Sequence, residues 1–159
     1  MATSTPVWHM RCSLSPSCAP SVWPEGTRVT RWDARRAHAV HSLLRDCYAH
    51  GGGSVAPYAS WRGTFINDSE FDPTSCFLAF RGPDLAGVAL CWTSGFVKDL
   101  CVAESDRRQG LGTALLRAAC AHFAARGLSA VELKVEADNS GAVCLYTRFG
   151  FERISSDVG

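Results

Sequence analysis

Two periodicities of apolar and polar positions divide most of the chain into predicted strands and helices. Runs rich in β-branched and aromatic residues, bounded by glycine or proline, predict strands, whereas apolar residues that recur every three to four positions predict helices. The predicted strands span 27–32, 76–81, 85–92, 96–102, 130–136 and 151–155. One predicted helix begins after Asp33, and two more span 110–126 and 140–149. A short helix with a loop is expected between the glycines at 51–53 and Thr74.

The order of these elements predicts a mixed sheet. Strand, helix and strand follow one another between residues 96 and 136, which is typical of a βαβ unit with two parallel strands. The turn Gly82-Pro83-Asp84 joins the two preceding strands as an antiparallel hairpin. The fold class is therefore α/β (α+β), with a mostly antiparallel central sheet that contains one parallel βαβ unit. Ligands of such units bind beyond the carboxyl end of the first strand, so functional residues are expected between Val102 and Thr113.

Composition narrows the class of protein. The chain has 159 residues, 47% of them hydrophobic, and a formal net charge of +1. This balance argues against nucleic-acid binding, and no apolar run is long enough to cross a membrane. Since the first residues also lack the apolar region of a secretory signal, a cytoplasmic protein with reduced thiols is expected.

The first 26 residues differ from the rest of the chain. They contain five serines and four prolines without helical or strand periodicity, so we predict a flexible tail over 1–26 and a single domain over 27–159. His9, Cys12 and Cys18 match no zinc-binding spacing, and no metal site is predicted. We expect the six cysteines within predicted elements to pack as small hydrophobic residues; they are Cys47, Cys76, Cys91, Cys101, Cys120 and Cys144.

The start of the predicted helix 110–126 is rich in glycine. Gly110 and Gly112 each destabilise a helix by about 0.5–1 kcal/mol relative to alanine, but they leave the first amides exposed. Those amides have no partner within the helix and carry the positive end of its dipole, so they would bind an anion such as a pyrophosphate. Neither the nucleoside-triphosphate loop nor the full dinucleotide fingerprint is present.

Two blocks of sequence resemble the GNAT superfamily of N-acetyltransferases. Arg107-x-x-Gly110-x-Gly112 resembles the acyl-CoA signature of that family, R/Q-x-x-G-x-G/A. Downstream, Asn139, Ala142, Leu145-Tyr146 and the segment 149–152 resemble its second conserved block. The resemblance is sharp over 96–152 and implies an acetyl-CoA-dependent N-acetyltransferase that acts by direct attack of a primary amine, with the βαβ unit splayed to hold acyl-CoA.

The resemblance also implies roles for particular residues. The pyrophosphate is expected at the main chain and side chains from Arg107 to Thr113, and the pantetheine arm along the main chain of 100–102, with Asn139 as a further contact or only a helix cap. Tyr146 is expected to protonate the departing CoA thiolate. The implied CoA-binding set is Leu100, Cys101, Val102, Arg107, Arg108, Gln109, Gly110, Leu111, Gly112, Thr113, Asn139 and Tyr146.

The general base and the acceptor stay open. Asp99 and Glu132 are the candidate bases, acting through water, because Lys134 occupies the position where some family members carry a glutamate. The acceptor, a small molecule or a peptide, would meet residues 48–75, which form either an acidic, aromatic wall or a solvated loop over core aromatics. A CoA-binding domain without turnover and a transferase of longer acyl groups are the alternatives. Family members that pair through terminal strands make a homodimer a further expectation.

Overall fold

A computed structural model describes residues 5–15, 19–51 and 53–158 of the chain. These residues form a seven-stranded sheet with helices on both faces, in the strand order β2-β3-β4-β5-β6-β1-β7. The strands are β1 (Pro6–Ser13), β2 (Thr27–Arg31), β3 (Cys76–Arg81), β4 (Asp84–Cys91), β5 (Phe96–Val102), β6 (Ala130–Glu136) and β7 (Glu152–Val158). The α-helices are α1 (Ala37–Tyr48), α2 (Tyr58–Ile66), α3 (Leu111–Ala125) and α4 (Ser140–Phe149).

Side chains of the central strands β3, β4 and β5 alternate between two hydrophobic cores. On one face, α3 and α4 cover a core that includes Phe77, Leu115, Leu133 and Phe123. On the other face, α1 and α2 cover a core built around Leu44, Phe65 and strand residues such as Leu78. Because successive strand residues point to opposite faces, the near-continuous apolar runs of β3 and β4 supply both cores at once.

The mixed sheet and its βαβ unit are confirmed. β5 pairs in parallel with β6, and the other neighbouring strands pair antiparallel. Gly87 on β4 allows α3 to lie close to the sheet, since a Cβ atom there would lie 3.0 Å from Leu115 Cδ1 and 3.1 Å from the Cys101 carbonyl oxygen. The bounds of β5, β6 and α4 are the predicted ones.

The prediction of a flexible tail over 1–26 is wrong for residues 6–13. These residues form β1, which lies between β6 and β7 and pairs antiparallel with both. Main-chain hydrogen bonds to two neighbours hold this strand, and Met10 is 3% exposed within the core. Farther along, Trp23 packs against the same core and Ser21 Oγ donates to the Ala114 carbonyl oxygen at 2.8 Å. Cys18 lies outside the described residues.

Cysteine packing differs from the prediction at one of the six positions assigned to the core. Cys76, Cys91, Cys101 and Cys120 are buried and Cys47 is half-buried, whereas Cys144 is exposed on α4. Cys12 belongs to β1 and is half-buried, so it does not lie in a tail. In the described part of the chain, no helix has the length and apolar character needed to cross a bilayer.

The position of β1 gives a stability prediction. Met10→Ala should lower the free energy of unfolding by about 2–5 kcal/mol, because it leaves a cavity in the core on this face of the sheet. Arg11→Ala is the matched control, since Arg11 is exposed and its loss should change stability by about 0.5 kcal/mol or less. Urea denaturation measures both. Equal stability of Met10→Ala and the native chain would mean that residues 6–13 contribute no core packing.

Candidate functional site

The parallel pairing of β5 with β6 covers only the start of β5. Phe96 pairs with Glu132 and Val97 with Leu133, and beyond these two pairs the strands separate. On its other edge β5 stays paired with β4 as far as Val102, with a bulge where Lys98 has no partner on β4. The main chain of 98–102 therefore presents peptide groups toward β6 without a strand partner, a row of donors and acceptors that an extended ligand would satisfy.

The N-terminus of α3 lies at the end of this open strand. The first hydrogen bond of the helix joins the Ala114 N–H to the Gly110 carbonyl oxygen at 3.0 Å, so the amides of Leu111, Gly112 and Thr113 have no partner within the helix. The approach to the helix uses left-handed backbone at Arg108 (φ 62°) and Gly110 (φ 86°). Arg108 is the single non-glycine residue with positive φ in the described chain, and such strained positions concentrate at functional sites.

A cavity of about 1420 Å³ fills the gap between the separated strands. Its walls are the end of β5, the first turns of α3, one side of α4 and the C-terminal end of α1, and we call it the central cavity. α3 lies close to α4 at Gly112, since a Cβ atom there would lie 3.3 Å from Leu145 Cδ2. The predicted residues that line the central cavity are Leu100, Cys101, Val102, Arg107, Arg108, Gly110, Leu111, Gly112, Thr113 and Asn139.

The charged groups of the central cavity favour an anion. Four arginines line it, namely Arg107, Arg108, Arg117 and Arg148, against three carboxylates, Asp106, Glu136 and Asp138. Arg81 already pairs with Asp106 at 3.4 Å. Arg107 is held at the cavity wall because its Nε donates to the Val102 carbonyl oxygen at 3.1 Å. Cationic side chains next to the free amides of α3 make a phosphate-binding environment.

Tyr146 lies under α4 and is 8% exposed, with its ring edge against Phe151 at 5.7 Å between centroids. Burial raises the pKa of its hydroxyl well above the ordinary value, and the negative charges that Cys101 and Asp99 would carry on β5 raise it further. The hydroxyl therefore keeps its proton throughout the physiological pH range, and it lies close enough to β5 for the charges of both groups to act on it. This is the state that a proton donor requires.

Asp99 is buried behind β5, on the side of α1. Its Oδ1 accepts a hydrogen bond of 2.6 Å from the Tyr48 hydroxyl, and Lys98 Nζ lies 2.8 Å from its Oδ2. Tyr48 lines the central cavity, whereas Asp99 itself is 7% exposed and lies one side chain away from it. Burial and the neighbouring Asp99 carboxylate raise the pKa of Tyr48, so its phenol stays protonated as the donor.

Four predicted residues do not line the central cavity, namely Asp99 and Tyr146, described above, and Glu132 and Gln109. Glu132 lies at the closed end of the strand pair, opposite Phe96, with its Oε1 at 2.8 Å from His9 Nε2 of β1. Gln109 turns back on its own loop, where its Nε2 donates to the Ser105 carbonyl oxygen at 3.5 Å. The structure thus places Asp99 and Tyr146 behind the walls of the central cavity, with 7% and 8% exposure, and Glu132 at the closed end of the strand pair.

Asn139 caps α4, and its Oδ1 accepts from the Ala142 N–H at 3.3 Å. The capping role is thereby shown, and since Asn139 also lines the central cavity, a ligand contact is compatible with it.

The acidic and aromatic residues of 61–72 do not face the central cavity. The carboxylates of Asp68 and Asp72 accept hydrogen bonds from the Glu70 and Thr74 amides and so fasten their own turns. Trp61 and Phe65 are buried in the core between α2 and the sheet. This arrangement corresponds to the loop over core aromatics, one of the two possibilities left by the sequence.

Many lining residues escaped the sequence prediction, among them Cys47, Tyr48, Arg117 and Arg148. Arg117 lies seven residues after Gly110, two helical turns farther on the same side of α3, so helical spacing alone would have found it. Arg148 is related in the same way to Gly141 on α4. Cys47 and Tyr48 come from α1, which no local pattern connects to β5.

Comparison with known proteins identifies the family of the chain. The sequence model of the acetyltransferase (GNAT) family matches residues 37–151, which is most of the chain. The chain belongs to that family. It is 32% identical to the mycothiol acetyltransferase of Thermobispora bispora, covering 99% of this chain and 57% of that relative. It is 39% identical to the mycothiol acetyltransferase of Geodermatophilus obscurus, covering 85% of this chain and 47% of that one.

Solved structures agree on the fold. A GCN5-related N-acetyltransferase from Sphaerobacter thermophilus superposes with a TM-score of 0.83 at 22% identity, over 99% of this chain and 51% of that one. The chain therefore spans about half the length of several relatives that it matches, whether compared by sequence or by structure.

The narrow contact between α3 and α4 predicts a binding defect. Gly112→Val should weaken CoA binding about tenfold or more, because the branched side chain would displace Leu145 and intrude on the first turn of α3. Gly141→Ala is the control, since it lines the same cavity and a Cβ atom there meets open space. Isothermal titration with CoA measures both variants, and equal affinities would place the ligand away from Gly112.

Proposed function

We propose that this chain is an N-acetyltransferase that moves the acetyl group of acetyl-CoA to a primary amine by direct attack. The observation that carries the proposal is the open edge of β5 leading to the unpaired amides of α3. One ligand that combines an extended amide chain with a pyrophosphate fits both features together. Membership of the acetyltransferase (GNAT) family supports the same ligand.

The residues of the central cavity fit CoA part by part. The amides from Arg108 to Thr113 and the guanidinium groups of Arg107 and Arg108 would hold the pyrophosphate. The Leu100 main chain and the Val102 N–H would pair with the two amides of the pantetheine arm, like an added strand, whereas the Val102 carbonyl oxygen already accepts from Arg107 Nε. An amide of β5 would donate to the thioester carbonyl and so stabilise the charge that develops there.

Acetyl-CoA supplies the activated acetyl group, and the protein supplies the proton transfers. Tyr146 holds a proton on its buried hydroxyl and would release it to the departing thiolate. Asp99 is the better of the two candidate bases, because it accepts a hydrogen bond from Tyr48, which lines the central cavity, whereas Glu132 contacts His9 at the closed end of the strand pair. Tyr48 joins Asp99 to the cavity, so a proton taken from the amine would pass through water and this hydrogen bond to the carboxylate.

The acceptor is most simply a small molecule. The relatives from Thermobispora bispora and Geodermatophilus obscurus are named mycothiol acetyltransferases, which supports a small amine acceptor for this chain as well. The acceptor would enter beside Tyr48 and Cys47, at the end of the cavity nearest to α1.

A CoA-binding domain without turnover is the second candidate. Both oxygens of Asp99 are already engaged, one by Tyr48 and one by Lys98. The chain also spans about half the length of several relatives. In a protein with two such halves, one domain would bind CoA and the other would catalyse the transfer. Turnover measured with CoA binding in the same preparation separates the two candidates.

Removing the Tyr146 hydroxyl tests the proposed chemistry. Tyr146→Phe should lower kcat by about 10²-fold or more, because the leaving thiolate loses its proton donor, while the dissociation constant for CoA stays unchanged. Thiol release with a panel of small amines measures turnover, and isothermal titration measures binding.

Tyr58→Phe is the matched control, since Tyr58 lies on α2, away from the central cavity, and stacks on His38. Its turnover should equal that of the native chain. Full turnover in Tyr146→Phe would remove Tyr146 from the mechanism. Tight CoA binding with no thiol release from any amine would instead favour the domain without turnover.

A further inference from the structure

Two cysteine thiols meet at the wall of the central cavity. Cys47 projects from the last turn of α1 and Cys101 from β5, between Leu100 and Val102, and both line the cavity. Cys47 packs against the core cluster that contains Cys101, and Cys47 Sγ lies 3.6 Å from the carbonyl oxygen of Val102, the residue after Cys101. Cys47 is half-buried and open to the cavity, whereas Cys101 is 4% exposed.

The surroundings make the two thiols chemically unequal. The neighbouring Cys101 thiol and the Arg107 guanidinium lower the pKa of Cys47 to about 7. The neighbouring Cys47 and burial raise the pKa of Cys101 far above its ordinary value. Near neutral pH, a large fraction of Cys47 is thus the nucleophilic thiolate, while Cys101 stays protonated.

We propose that Cys47 and Cys101 form a dithiol modification site that hydroperoxides oxidise to an intramolecular disulfide. Cys47 is reached through the central cavity and reacts first, and Cys101, on the same cavity wall, closes the bond. The proposed acetyl transfer uses neither thiol, so this site is independent of that chemistry.

The reaction balances with hydrogen peroxide as the oxidant. The Cys47 thiolate attacks one peroxide oxygen, the O–O bond breaks, and the hydroxide that leaves takes the proton of Cys101 as water. The Cys101 thiolate then attacks the sulfenic sulfur of Cys47, the S–O bond breaks, and the second hydroxide takes a solvent proton. Two thiols lose two electrons in all, and one peroxide becomes two waters.

The disulfide would alter the CoA site, and this consequence rests on the proposed function. A sulfur–sulfur bond of about 2.05 Å is shorter than any hydrogen-bonded contact between thiols, so it draws β5 toward α1 at Cys101. The neighbours of Cys101 on the strand are Leu100 and Val102, whose main chain would pair with pantetheine. Oxidised protein is therefore expected to bind CoA about tenfold more weakly or worse.

Peptide mapping of the full chain tests the site. The reduced protein is treated with hydrogen peroxide, blocked with an alkylating agent, digested and analysed by mass spectrometry. The expected product is a cross-linked peptide pair that joins Cys47 to Cys101, formed about tenfold faster than oxidation of Cys144. Cys144 is the internal control because it is exposed and lines the same cavity. Absence of the cross-link, or oxidation of Cys47 no faster than Cys144, would overturn the proposal.

Two variants check the assigned order of events. Cys101→Ser keeps a hydrogen-bond donor beside Cys47, so a sulfenic acid should persist there and be trapped by dimedone. Cys47→Ser should leave Cys101 no more reactive than Cys144, and rapid oxidation of Cys101 in that variant would reverse the roles. The mapping of the native chain needs neither variant, so it decides the proposal even if one of them does not fold.

Isothermal titration with CoA then compares reduced and oxidised protein. Weaker binding after oxidation, restored by dithiothreitol, is expected. Equal affinity of the two forms would refute the effect of the disulfide on CoA binding. Whether the disulfide forms at all is decided by the peptide mapping. Failure of the reduced protein to bind CoA would count against the proposed function and not against the disulfide.

Discussion

The early separation of β5 from β6 is the constraint on which the rest of the site depends. Only two residue pairs join these parallel strands, and past them the peptide groups of β5 face an opening inside the sheet. Unpaired main-chain groups are costly within a protein unless water or a ligand satisfies them. The first turn of α3 adds further free amides at the same opening. One gap in the hydrogen-bonding pattern therefore provides both recognition elements of the central cavity.

The two faces of β5 have different surroundings after the bulge at Lys98. After it, Leu100 and Val102 pack toward α3, while Asp99 and Cys101 turn toward α1. A buried carboxylate is destabilising unless it is well paired, and Asp99 receives a phenol hydrogen bond and an ammonium group. Lys98 itself lies over the rings of Phe65 and Trp92, at 5.5 Å and 6.0 Å. Lys98 thus links the charged face of β5 to the core that α2 covers.

The sequence was most informative where structure depends on neighbours along the chain. Alternation and helical spacing predicted the bounds of β5, β6 and α4, and the glycines at 110 and 112 predicted the start of α3. It failed where distant segments decide the outcome. β1 is stabilised by pairing with residues 130–136, and a register shift between His9 and Met10 disturbs its alternation. Tyr48 and Cys47 belong to the site only because α1 packs on β5, which no local pattern records.

The insertion of β1 between β6 and β7 has a consequence for the order of folding. β7 pairs with no other strand in the described chain, so the strand nearest the C-terminus is attached to the sheet through the strand nearest the N-terminus. Pairs such as Val7 with Glu136 span most of the chain, and contacts of such separation form slowly. During synthesis, residues 6–13 emerge before residues 130–136 and wait for them to pair. The wall of the central cavity that α4 provides can therefore form only after residues 140–149 have been made.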